Sequence, residues 1–125
     1  MRDTGIAYEV VTDLPFTEAV ARCRAELAVA GFGVLTEIDL QAKLREKLGV
    51  EVEPNLILGA GHPPSAHRAL QAVPEVAVML PCNVTVAREH GRTVVRAINP
   101  EGAMKMLGNT ALDQVAREVG AALRG

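Results

Sequence analysis

The stretch from Cys82 to Ile98 constrains this chain more than any other. Cys82–Glu89 and Arg92–Ile98 are two β-rich runs separated by His90-Gly91 alone. A two-residue connection between strands needs positive φ, which glycine adopts freely and histidine tolerates, so the pair reads as an antiparallel hairpin. Parallel neighbours need a crossover of roughly a dozen residues or more, and no such segment separates these two. Strict β-α alternation therefore fails in the second half of the chain, which counts against a doubly wound parallel sheet.

The other elements follow from periodicity and breakers. Ile6–Val11 reads as a first strand, and Asp13 is the expected N-cap of a helix with Pro15 in its first turn. Phe16, Val20, Cys23, Leu27 and Ala30 recur at spacings of three and four, marking one buried helical face, and Gly31 ends it. Phe32, Val34, Thr36 and Ile38 alternate with Gly33, Leu35 and Glu37 as a second strand. Asp39 caps a short helix lined on one side by Leu40, Leu44 and Leu48 and stopped by Gly49.

Glu51–Leu58 is the expected third strand. The run Gly59-Ala60-Gly61-His62-Pro63-Pro64 then breaks the chain and starts a helix carrying Ala66, Ala69, Leu70 and Val73. Val76–Leu80 reads as a fourth strand interrupted at Pro81. After the hairpin, Asn99-Pro100 caps a short helix ending near Gly108, and Asn109 caps the last one, with Leu112, Val115, Ala116, Val119 and Leu123 on its apolar face. The expected fold is α+β: a single domain over residues 1–125, with a largely antiparallel sheet and helices packed on one face.

Composition narrows the function classes. A chain of 125 residues has the size of one domain and can bury a core without staples. With one Tyr, two Phe and no Trp, that core is built of aliphatic residues, and no platform for stacking nucleic-acid bases is available. The net charge of −2, without a basic stripe, argues against a nucleic-acid partner. Met1–Phe16 lacks an apolar signal region, and the longest apolar run, Leu27–Leu35, falls far short of the roughly 18 residues of a membrane span. Two cysteines are too few for a secreted disulfide framework, so a reducing cytoplasm is the expected compartment and a membrane is not an expected partner.

Candidate chemistry centres on the chain breaks. Cys82 follows Pro81 at a strand break, yet the hairpin register puts it on one face with Val84 and Val86, opposite Val95 and Ala97, where a free cysteine packs as a small hydrophobe. Cys23 lies on an apolar helical face and reads as core. His62 and His67 are five apart, which is not the i,i+4 spacing of a zinc-binding helix pair; with Cys82 they would need the fold to bring them together. A phosphate cradle at Gly59-Ala60-Gly61 is disfavoured because Pro63 and Pro64 supply no N–H donors. Ser65, the one serine, has no nucleophile elbow around it and belongs to a first helical turn. Met104 and Met106, flanking Lys105, read as packing residues. No catalytic motif and no cofactor signature emerges.

Several short runs, in order, carry a family resemblance: Gly31-Phe32-Gly33-Val34-Leu35, Ile38-Asp39-Leu40, Lys47-Leu48-Gly49, Ile57-Leu58-Gly59, His67-Arg68-Ala69-Leu70, Leu80-Pro81-Cys82-Asn83 and Ala97-Ile98-Asn99-Pro100. Together they resemble the domain-of-unknown-function family 302 from about Ala7 to the final helix. The resemblance implies an antiparallel α+β fold and a homodimer in bacterial or archaeal cytoplasm, and it implies no reaction. Family members often carry Cys-Asn-Pro after the third strand; Gly61-His62-Pro63 stands there in this chain, so a thiol pair with Cys82 lacks its partner.

The resulting expectation is a homodimeric small-ligand-binding or regulatory module, because small residues and breaks cluster at strand ends, where pockets form. Its candidate ligand-binding residues are Gly59, Gly61, His62, Pro63, His67, Pro81, Cys82 and Asn83. The competing expectation is a thiol-dependent redox protein or enzyme using Cys82, with a metal held by His62 and His67.

Overall fold

The computed structural model describes residues 1–104 and 110–124. The readings made above on the side chains of Met104 and Leu112, and on Lys105, Met106, Gly108 and Asn109, lie outside the described residues. In chain order the elements are β1 (Arg2–Asp3), β2 (Ala7–Thr12), α1 (Phe16–Val29), β3 (Gly33–Asp39), α2 (Leu40–Leu48), β4 (Asn55–Gly61), α3 (Pro63–Ala72), a 3₁₀ helix (Pro74–Met79), β5 (Cys82–Glu89), β6 (Arg92–Ile98), α4 (Pro100–Met104) and α5 (Thr110–Arg124). The strands form one six-stranded sheet in the order β1-β2-β6-β5-β4-β3, and every neighbouring pair is antiparallel.

The hairpin anchors this sheet. His90 at φ 53° and Gly91 at φ 77° make the turn, and the register pairs Val84 with Ala97 and Val86 with Val95. Directly opposed residues of an antiparallel pair share a face. On the other side of β5, Leu56, Leu58 and Ala60 oppose Val86, Val84 and Cys82. One face thus carries an unbroken aliphatic layer, and Leu27 of α1, Ala69 of α3 and Val115, Ala116 and Val119 of α5 join its buried cluster. Burying small and branched aliphatics at roughly 25 cal/mol per Å² is the main stabilising term in a core whose buried cluster holds one aromatic, Phe32, among aliphatic residues. The far face carries charge: Arg96 binds both Glu9, its partner across β2, and Glu89.

Several local expectations are corrected. Pro15, not Asp13, stands at the N-cap of α1, with no side-chain cap bond; Asp13 instead accepts from Arg92 Nε at 3.1 Å. Val76–Leu80 is not a strand. Pro74 presets φ for a helical turn, and the i→i+3 bonds from Val76 N to Val73 O and from Leu80 N to Ala77 O make that segment 3₁₀. The strands that flank it in the chain, β4 and β5, are already paired on both sides and offer it no partner.

The third strand begins at Asn55 rather than Glu51, and it continues through Gly59-Ala60-Gly61 instead of breaking there. A Cβ on Gly59 would come within 2.8 Å of Pro81 Cγ and one on Gly61 within 2.6 Å of Leu35 Cδ1, so these glycines permit close approach inside a sheet rather than a turn. The alternation expected along β3 is also broken. Val34 opposes Ala60 and Thr36 opposes Gly59, two successive β4 residues, so Val34 and Thr36 face opposite ways and Leu35 is the extra residue of a bulge.

Candidate functional site

The bulge, the glycine strand end and the start of α3 surround a cavity of about 290 Å³. Leu35 and Ala60 wall it on the sheet side, Leu80 and Cys82 at the entry to β5, and Ala69 and Val119 on the helix side. Most of this lining is apolar. Its polar side chains are Thr36 of β3 and a pair at the head of α3. Pro63 and Pro64 occupy the first two positions of that helix, which leaves His62 at the N-cap and turns Ser65 inward. His62 Nδ1 lies 2.7 Å from Ser65 Oγ, and Ser65 is only 4% exposed. The imidazole also packs against Phe32, at a centroid distance of 5.5 Å and a tilt of 53°. Gly31 lies against the same ring: a Cβ there would come 3.5 Å from His62 Cδ2.

The structure sorts the eight candidate residues. Gly61, His62, Pro81 and Cys82 line this cavity. Gly59 packs beside it against Thr36 and Pro81. Pro63, His67 and Asn83 are exposed outside the lining: His67 lies on the outer surface of α3, and Asn83, next to the inward Cys82, points to the opposite face of the sheet. Among the described residues no group of three or more His, Cys, Asp or Glu side chains could hold a metal ion, so the envisaged convergence of His62, His67 and Cys82 does not form. Burial pushes the Cys82 thiol above its ordinary pKa, and the same desolvation acts on half-buried Cys23. Both thiols are therefore protonated at neutral pH and are poor nucleophiles.

Sequence reasoning missed Phe32, Leu35, Ser65 and the α5 residues Val115 and Val119 as site residues. Ser65 had a usable signal, since an inward hydroxyl one helical turn after an N-cap histidine can meet its ring. The α5 residues had none, because nothing local says which surface of the sheet that helix will cover.

Among the described residues no helix is long and apolar enough to cross a membrane. A helix-covered antiparallel sheet with an apolar cavity at one strand end defines the class: a small α+β domain. The chain matches the family described as Domain of unknown function DUF302 over residues 8–125, and it belongs to that family. It is similar to a solved structure titled as an uncharacterized conserved DUF302 protein from Bacillus stearothermophilus, with 30% identity, a TM-score of 0.89, and coverage of 95% of this chain and 93% of that one. No curated protein matches it.

Proposed function

We propose that this domain binds a small, mostly apolar molecule in the cavity between β4, α3 and α5, and that it works as a homodimeric binding or regulatory module. The observation that carries the reading is the His62–Ser65 pair, a part-buried polar contact of 2.7 Å set in a mostly apolar wall. Ligand sites commonly combine an apolar lining with a few converging polar groups that fix orientation. A volume of about 290 Å³ matches a compact ligand rather than a nucleotide. One hydroxyl or carbonyl on that ligand would exchange hydrogen bonds with the pair.

The dimer is supported by apolar exposure at the β3 edge. Leu35, Ile38, Leu48, Val50 and Val52 are all exposed on β3, at the end of α2 and in the following loop. Contiguous exposed apolar surface marks interaction sites. Leu35 belongs both to that surface and to the cavity wall, so a second copy seated there would shield the cavity from water.

Native mass spectrometry of gently purified protein tests both parts, with a dimer carrying extra mass as the expected result. Amide-detected NMR titration with benzyl alcohol and with toluene then locates the site. The reading expects shifts at His62, Ala69 and Ala116, stronger for the alcohol, and loss of that preference in Ser65→Ala. Saturating probe with no shift at those residues would remove the ligand reading. A clean monomer in sedimentation at micromolar concentration would remove the dimer.

A further inference from the structure

A second cavity, about 430 Å³, lies on the other side of Phe32, between α1 and the face formed by β2, β6 and β5. Its floor is Val10, Val84, Val95 and Ala97, with Leu27 of α1 and Leu123 of α5 closing the sides. Thr12 of β2 apart, its polar side chains gather along α1. Ala19, Cys23, Glu26 and Ala30 follow one another by three and four residues, and Arg22 lies four before Glu26, so Arg22 and Glu26 stand one turn apart on the side of the helix that lines the cavity. Both are exposed, and neither forms an ion pair among the described residues. Arg24, two residues away, is taken up by Glu37, and Arg92 by Asp13. Arg22 and Glu26 stand in the less favourable order for a helical ion pair, with the cation first.

We infer that this second cavity binds an aliphatic carboxylate, with the hydrocarbon chain between α1 and the sheet and the head group on Arg22. The aliphatic floor takes a flexible chain. The guanidinium is a planar fork of donors that matches a carboxylate with two parallel hydrogen bonds. The fork of Arg22 decides between head groups, because it can hold a carboxylate through two parallel hydrogen bonds. Arg22 attracts the anion, while Glu26 repels it and limits its affinity. A neutral head would leave both charges unused. The site shares only Phe32 with the first cavity and stands independently of the ligand proposed there.

Isothermal titration calorimetry with decanoate, below its micelle concentration, tests this on the full chain. Decanol and decylamine are the matched probes. Decanoate binds with one site per chain and most tightly of the three. Arg22→Gln weakens it about tenfold. Glu26→Gln tightens it roughly twofold to threefold by removing a nearby like charge. Both positions are exposed, so the variants keep the fold, which their melting curves verify. Amide NMR places the decanoate-induced shifts at Leu27, Val95 and Leu123. Decylamine or decanol binding as tightly as decanoate, an unchanged Arg22→Gln, or shifts confined to Ala69 and Val115 would each overturn the assignment.

Discussion

Strands β4 and β3 lie side by side, and both were legible as strands from apolar residues, yet they live in different environments. Leu58 of β4 is fully buried between β3 and β5 under the helices. Every residue of β3, its neighbour at the sheet edge, is exposed, including Leu35 at 67% and Ile38 at 43%. An apolar pattern says that a segment is extended and has something to hide; it does not say whether the same chain hides it. For β4 the cover is α1, α3 and α5. For β3 the bulge at Leu35 and the short helix α2, none of whose residues is buried, leave an apolar edge uncovered. Open edges of this kind invite pairing with another chain, which is why the homodimer proposal is placed there.

Truncation experiments sharpen this contrast. Leu58→Ala, assayed by urea denaturation, should cost about 2–5 kcal/mol through lost burial and the cavity left behind. Ile38→Ser in the same assay should cost the monomer at most about 0.5 kcal/mol, as surface substitutions do. Equal costs would mean that the edge is as firmly packed as the centre.

A smaller effect separates the two regions by capping. Asp39 accepts from Ala42 N at 2.9 Å and starts α2. Asp39→Ala should cost about 1 kcal/mol. Hydrogen exchange should report it at Leu44 and Leu48 while leaving Val84 and Val86 protected; a loss spread over the whole sheet would show that edge and centre unfold as one unit.

The smallest expected effect lies on the charged face. The hydrogen bond from Arg96 holds the Glu89 carboxyl below the usual carboxylate range. With a folded pKa below the unfolded one, its stabilisation is present above the ordinary carboxylate pKa and is lost as pH falls through that range toward the lower folded value. Because this pair is solvent-accessible, Glu89→Gln should flatten the acid limb of the stability profile by about 0.5 kcal/mol or less. No change between pH 5 and 2 would show the pair to be neutral.

Much of the architecture and a part of the candidate site were legible in the sequence. The hairpin was readable because two residues of positive φ admit few other connections, and the α2 boundaries because Asp39 and Gly49 are strong local caps. Gly61, His62, Pro81 and Cys82 were picked out as breaks at strand ends, and they converge on one cavity. Misreadings came where a local signal has two uses. Gly59 and Gly61 read as a turn because glycine permits one, but here they allow Thr36, Pro81 and Leu35 to pack against the strand. Val76–Leu80 has strand-like residues, and Pro74 together with the absence of a free neighbouring strand made it 3₁₀.

The sequence by itself determined the α+β class, the hairpin, the family and the aliphatic make-up of the core, since each follows from local conformational preference or from composition. Only the tertiary structure decided that His62 meets Ser65 beneath Phe32, that α5 rather than solvent covers Cys82, and that β3 is left at an edge. Those outcomes depend on which surfaces meet across long chain separations, and hydrophobic burial, being non-directional, leaves no local mark of its partner.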